Sequence, residues 1–189
     1  APASNAEWRL RQRGSAAHST VVVAASDSAP GRRGGGIAQG GGAVRALREE
    51  RDGAVLIDAR HDLYAKRFGI ALRRRLYMAP GGEDLRGEDT LDGPSGVEFA
   101  AHFHLHPDVS ASLLQGGTAA LLRLPGGTGW RMRSAGAVMA LSDSAYFGDG
   151  GEMKRAQQLV LAGRTGEGGE TVVKWALQRE ARPREAKKA

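Results

Sequence analysis

The clearest pattern in the chain is a strict alternation of apolar and polar positions between residues 97 and 106. One parity is apolar and consists of Val97, Phe99, Ala101, Phe103 and Leu105. The other parity carries His102, His104 and His106. Because a strand puts residues i and i+2 on the same face, the run predicts a half-buried strand with three imidazoles opposite its apolar side. Pro107 lacks a backbone N–H and should end the strand.

A second alternating run extends from residue 68 to residue 78. Its apolar parity is interrupted once, by Arg74, whereas Arg73, Arg75 and Tyr77 share the other parity. The pattern predicts a long strand with a cationic outer face. Guanidinium groups and a tyrosine ring suit an acidic sugar, by charge and by stacking. A solvated strand face without a ligand is the alternative interpretation.

Most other strand candidates are short, and glycine-rich turns such as Asp52-Gly53 and Pro125–Gly129 separate them. No long helical period interrupts this series. The spacing predicts an all-β fold, an antiparallel β-sandwich of about nine to eleven strands. We expect residues 1–180 to form this domain and residues 181–189 to be a charged tail. Leu85–Pro94 is predicted to be a polar connection, with Asp84, Glu88 and Asp89 in a solvated acidic loop.

Composition and charge narrow the functional classes. The 189 residues include no cysteine, which excludes disulfides and thiolate metal sites. The net charge of +6 favours a polyanionic partner, either an acidic polysaccharide or a nucleic acid, although a GC-rich genome would also favour arginine. Nucleic acid is the weaker choice, since no recognised binding motif is present and aromatic residues are few. Neither a signal peptide nor a membrane-spanning run of about 20 apolar residues is predicted.

The three histidines pose a separate question about metal binding. Two imidazoles on one strand face can converge on a zinc ion, but a flat strand rarely offers three ligands to one ion. We therefore expect no tight zinc site formed by His102, His104 and His106 together. A polar face that bonds to neighbouring strands or water is the alternative to a metal or catalytic role.

Several motifs occur in an order that resembles a known family. They are Ala16-Ala-His-Ser-Thr20, His61-Asp-Leu-Tyr64, Leu85-Arg-Gly-Glu-Asp89, Phe103-His-Leu-His-Pro107, Asp143-Ser-Ala-Tyr-Phe147 and Gln157-Gln-Leu-Val160. Together they resemble the C-terminal β-sheet region of heparinase II/III-like proteins, which are bacterial polysaccharide lyases. The likeness extends over nearly the whole chain, and Phe-His-Leu-His-Pro is its most specific part.

The resemblance implies an α/α-toroid domain before the sheets, and β-elimination on uronic acids of acidic polysaccharides in a periplasmic or cell-envelope setting. In such lyases a base removes the C5 proton and an acid assists the leaving oxygen. Those groups lie mainly on the toroid, which this chain lacks. We therefore assign no catalytic residue and expect the chain to be inactive alone. A non-catalytic carbohydrate-binding or interdomain packing module is the alternative function.

The resemblance also implies roles for individual residues. It adds His104 and His106, which keep family-like positions, to Arg73, Arg75 and Tyr77 of the cationic strand face, and these five are the predicted substrate-binding residues. His18 lies in a strand-start motif that supplies a zinc ligand in family members with a structural zinc. It is thus a predicted metal ligand in a full-length parent, whereas the isolated chain is expected to need no cofactor. A histidine bonded to a nearby backbone carbonyl is the alternative for His18.

Overall fold

The structure is a computed structural model that describes residues 12–28, 43–148 and 152–181. These residues contain twelve strands, a helical turn α1 (Ala65–Phe68) and two 3-10 turns, at Ser15–Ala17 and Gln115–Gly117. The strands are β1 (Val21–Val23), β2 (Val44–Arg51), β3 (Ala54–Tyr64), β4 (Ile70–Met78), β5 (Asp84–Asp92), β6 (Glu98–His104), β7 (Ser110–Leu114), β8 (Ala119–Arg123), β9 (Gly129–Ala135), β10 (Val138–Phe147), β11 (Met153–Arg164) and β12 (Glu170–Arg179). None of the described helices is long and apolar enough to cross a bilayer.

The strands form two antiparallel sheets that pack face to face. The small sheet has four strands in the order β1-β6-β11-β10, and the large sheet has eight in the order β2-β3-β4-β5-β12-β9-β8-β7. One buried apolar cluster contains residues from the inner faces of both sheets, including Leu72, Leu91, Phe99, Leu161 and Val173. The predicted antiparallel β-sandwich is confirmed, with twelve strands in the described residues where about nine to eleven were expected.

The extra strand is β5, because the polar connection predicted at Leu85–Pro94 is wrong. β5 pairs with β4 on one side and with β12 on the other. Its inward positions include Gly87 and Asp89, so the apolar alternation that would have revealed the strand is absent. The expected acidic loop is therefore a set of carboxylates on the large sheet.

The inward and outward positions predicted for β4 are confirmed, and they place the charge of Arg74 inside the sandwich. Arg73 and Arg75 are exposed on the outer face, whereas Arg74 points inward with Leu72. Arg74 donates from Nε and Nη2 to the two carboxylate oxygens of Asp89, the second bond measuring 2.9 Å. The Asp89 side chain is only 2% exposed, so the ion pair is buried on its acidic side.

Two aromatic rings complete this buried network. The indole Nε1 of Trp175 donates to Asp89 Oδ2 over 3.1 Å, and its ring meets Phe103 of the small sheet edge-on at 4.9 Å. The guanidinium carbon of Arg74 lies 5.8 Å from the Phe103 ring centroid and 5.9 Å from that of Trp175. Trp175 is therefore a packing residue, with only 8% of its surface exposed.

The histidine-bearing strand ends earlier than predicted. β6 stops at His104, and Val109 N–H donates to the carbonyl of His106 over 2.9 Å, which closes a turn around Pro107. His106 lies beyond the end of the strand, and its ring meets Tyr146 on β10, the strand that also supplies the Ser144 partner of His104. The predicted extension of the strand to His106 is wrong by two residues, because the last strand residue of β6 is His104.

The domain boundary at residue 180 stays a prediction. Residues 182–189 of the predicted tail lie outside the described residues.

Replacing Asp89 with asparagine should destabilise the domain strongly, because Arg74 would lose its charged partner inside the sandwich. Breaking a buried ion pair on one side costs about 3–5 kcal/mol. A matched control is Asp58→Asn, which removes the same kind of cross-strand Arg–Asp pair, with Arg73, on the exposed outer face. In urea unfolding, the free energy of unfolding should fall strongly for Asp89→Asn and only slightly for Asp58→Asn. Equal losses would contradict the assignment.

Candidate functional site

A shallow groove of about 560 Å³ crosses the outer face of the large sheet. Strand pairing builds it from two rows of side chains that face solvent. One row is Tyr77, Arg86, Ala176 and Arg133, and the next is Arg75, Glu88, Lys174 and Ala135. Neighbouring strands are about 4.8 Å apart, so each row spans three strand spacings. The alanines leave a low floor between taller cationic side chains.

The groove is positively charged although part of its charge is paired. Its lining contains Arg75, Arg86, Arg133 and Lys174 but a single carboxylate, Glu88. Arg75 bonds to Glu88, and Lys174 Nζ lies 3.6 Å from the other Glu88 oxygen. Within the described residues, Arg133 has no carboxylate at ion-pair distance. An anion placed over Ala176 would meet Arg133 directly and would compete with Glu88 for Lys174.

The pKa values of the outer-face carboxylates follow these pairs. The hydrogen bond from Arg75 lowers the pKa of Glu88, and that from Arg86 lowers the pKa of Asp84. The hydrogen bond from Arg73 likewise lowers the pKa of Asp58 on β3. All three carboxylates therefore stay ionised at neutral pH, and the cations of β4 and β5 are held in fixed positions.

The predicted substrate-binding residues fall into separate places. Arg75 and Tyr77 line the groove, whereas Arg73 lies one row away in its pair with Asp58. His104 and His106 lie on the side of the small sheet, across the sandwich core. The structure therefore does not bring the five predicted residues together.

His104 lies on the outer face of the small sheet beside a cleft of about 800 Å³. Its Nε2 is 2.9 Å from the carbonyl oxygen of Ala16, and its Nδ1 is 2.8 Å from the hydroxyl of Ser144. A carbonyl oxygen only accepts, so Nε2 must carry the proton. In the neutral ring Nδ1 then accepts from Ser144. Both nitrogens are engaged in holding the Ser15–Ala17 turn and β10.

Burial is the main cause that lowers the pKa of His104, and the nearby His102 and His18 lower it further. The hydrogen bond to Ala16 opposes this shift in part. His104 is therefore neutral at pH 7, in agreement with its hydrogen-bonding pattern. This arrangement suits a side chain that orients neighbouring segments and not one that transfers protons.

The other two histidines of the motif have their own partners. His102 Nδ1 donates to Oε1 of Gln158 over 2.9 Å, and its ring stacks on His104 with centroids 6.1 Å apart. His106 is exposed beside Asp108, with Nδ1 3.5 Å from Oδ2, and meets the Tyr146 ring edge-on. These separate contacts match a polar strand face better than a shared metal site.

His18 is exposed at the end of the Ser15–Ala17 turn. The described residues contain no group of three His, Cys, Asp or Glu side chains that could hold a metal ion. A zinc ion at His18 would need ligands from outside them, and its role as a metal ligand stays a prediction. The motif has a visible structural role instead, because the Ser19 hydroxyl accepts from His104 N–H over 3.1 Å.

Sequence reasoning missed most of the groove. Arg86, Arg133 and Lys174 lie on three strands that are distant in sequence, and no local pattern links them. Ser144 and Gln158, which hold the histidines, were missed for the same reason. Arg74 was noted only as an interruption of the apolar positions of β4, and its partner Asp89 was not predicted.

Comparisons with known proteins agree with the geometry of the sandwich. Residues 1–176 match the family model described as heparinase II/III-like, C-terminal. The heparan sulfate lyase HepC of Pedobacter heparinus has a similar fold over 92% of this chain and 25% of its own, with 11% identity and a TM-score of 0.74. A heparinase III is similar over 96% of this chain and 26% of its own, with 11% identity and a TM-score of 0.73.

Another relative has a higher sequence identity to this chain. FtsZ-localized protein C of Caulobacter vibrioides is 33% identical over 152 residues, which is 75% of this chain and 26% of that protein. The chain thus spans about a quarter of the length of the relatives that it matches.

The stability of the domain should fall as the pH drops below the ordinary histidine pKa of 6.5. Burial lowers the pKa of both His104 and His61, so the unfolded chain takes up protons first and stability is lost between 6.5 and the lowered values. His104→Gln should reduce this fall in stability at acid pH, and the double variant His104→Gln/His61→Gln should reduce it further. Urea unfolding over a pH series measures it. An unchanged slope in both variants would contradict the prediction.

Proposed function

The chain belongs to the heparinase II/III-like, C-terminal family, and we propose that it is the β-sandwich part of a lyase-type protein that binds acidic polysaccharide. The groove on the large sheet carries this proposal. Its cations, its alanine floor and the Tyr77 ring match the carboxylates or sulfates and the apolar ring faces of such a polymer. Arg75 and Tyr77 are its predicted members, and Arg86, Arg133 and Lys174 extend it.

We assign this chain a role in binding and not in elimination. Elimination needs a base free to take the C5 proton. The two nitrogens of His104 are bonded to Ala16 and Ser144, which disfavours such a use. A preceding α/α-toroid domain is the proposed source of the catalytic groups, and zinc at His18 belongs to the same proposal for a full-length parent. We propose a periplasmic or cell-envelope location.

An eliminative assay tests this division of roles. The chain alone, incubated with heparin or alginate, should give no unsaturated uronate product. Measurable product would overturn the assignment of no catalytic residue. A non-catalytic binding or interdomain packing module would give the same negative result, so the binding experiment below must separate that alternative.

Reversing two groove charges should weaken polyanion binding. Arg133→Glu with Lys174→Glu is expected to raise the Kd for heparin about tenfold, or about 1.4 kcal/mol, because attraction becomes repulsion at the groove floor. Isothermal titration at two salt concentrations measures it, and added salt should weaken parent binding. Lys154→Glu with Arg155→Glu, on β11 of the small sheet, is the control, because it changes the net charge by the same amount. An equal effect of this control, or no effect of the groove double variant, would contradict a groove site.

Association with FtsZ is a second candidate function, favoured by the 33% identity to FtsZ-localized protein C. Co-sedimentation of the chain with purified FtsZ polymers tests it. Co-sedimentation that persists in the groove double variant would place FtsZ binding elsewhere on the domain. Failure to co-sediment while heparin still binds would leave the polysaccharide proposal standing alone.

A further inference from the structure

β2 is an edge strand whose eight residues are all exposed. It pairs with β3 on one side, and no described strand lies on its other side. Val44 is 68% and Leu47 is 55% exposed, although both are apolar. The free edge of such a strand presents unpaired N–H and C=O groups and is a template for another strand.

The side chains of β2 divide into two sets by parity. Leu47 lies opposite Asp58 on β3, which lies opposite Arg75 on β4. Arg45, Leu47 and Glu49 therefore belong to the outer face of the large sheet, the face that carries the groove. Arg48 and Glu50 belong to the inner face, where they form an ion pair of 2.7 Å along the strand.

Antiparallel pairing of β2 with β2 of a second copy is constrained by these faces. A two-fold axis perpendicular to the sheet leaves the outer faces of both copies on the same side. Outer-face residues of one β2 therefore pair with outer-face residues of the other, and inner-face residues with inner-face residues. Centred on Leu47, the pairing sets Leu47 against Leu47 and Arg45 against Glu49 of the second copy, twice. The apolar pair is flanked on both sides by opposite charges.

The neighbouring registers lack this complementarity. Centred on Arg48, two Arg48 side chains oppose each other, Arg45 opposes Arg51, and Leu47 opposes Glu49. Centred on Ala46, Arg45 opposes Leu47 and leaves its charge without a partner. Since opposite charges across strands stabilise and like charges destabilise, the sequence of β2 favours the Leu47 register.

We propose that two copies of this chain associate through β2 in the Leu47 register and form one continuous sheet. The interaction combines backbone hydrogen bonds between the two edges with the Leu47 pair and two Arg45–Glu49 ion pairs. Such strand addition is a general mode of recognition, and here the partner is the same strand.

Charge reversal on the full chain tests both the surface and the register. Sedimentation equilibrium over a concentration series should show a reversible dimer for the parent. Arg45→Glu or Glu49→Arg alone sets like charges opposite each other twice and should raise the dimer Kd about tenfold or more. The double variant Arg45→Glu/Glu49→Arg restores opposite charges and should restore the dimer. Arg48→Gln, which faces Ala46 of the second copy in this register, is the control and should leave the Kd unchanged.

Circular dichroism of each variant checks that the fold is intact, which we expect because every substituted side chain is exposed. A parent that stays monomeric throughout the series would overturn the proposal. So would a dimer that ignores both single reversals, since it would use another surface. Failure of the double variant to restore the dimer would overturn the Leu47 register.

Discussion

The buried ion pair between Arg74 and Asp89 is the constraint on which the sandwich depends. An ion placed inside a protein without its partner costs several kcal/mol, so the carboxylate and the guanidinium must be brought together before the sheets can close. Trp175 satisfies the carboxylate from β12, and Phe103 brings the small sheet against the guanidinium. Gly87 is required at the same place, because an added Cβ would lie 2.1 Å from the Trp175 ring. The network therefore couples four strands of two sheets through one charge pair.

Ser19 links this buried network to His104 on the outer face of the small sheet. The Ser19 carbonyl accepts from Arg74 Nη1 over 2.7 Å, while its hydroxyl accepts from the backbone of His104. The strand-start motif thus links the interior of the large sheet to the outer face of the small one. His104 has a structural task in this link. The cationic groove lies on the opposite side of the sandwich from His104, on the outer face of the large sheet. Leu47 belongs to the same face, so the polymer and the second copy would bind next to each other.

The sequence predicted features that are local and missed those that depend on pairing between distant strands. Alternation was enough for β4 and β6, and it correctly placed Arg73, Arg75 and Tyr77 outside. It failed at β5, because the inward positions there are Gly87 and Asp89 and not apolar side chains. Gly87 leaves room for the Trp175 ring and Asp89 accepts its N–H, and Trp175 is far along the chain. Alternation placed the end of β6 two residues too late, since the strand stops at His104 and a turn follows around Pro107. The groove was only half visible, because Arg133 and Lys174 reach it through the pairing of β9 and β12.

The position of β12 has a consequence for biosynthesis. It is the last strand in the described chain, yet it lies in the middle of the large sheet, between β5 and β9. Before β12 leaves the ribosome, β2–β5 and β7–β9 are two separate groups of paired strands. Each group has an unpaired edge where β12 will bind, and an exposed apolar face. Pairings so distant in sequence form slowly. A nascent or prematurely terminated chain would therefore expose two unpaired strand edges, which are prone to aggregate, until the ten residues of β12 are in place between them.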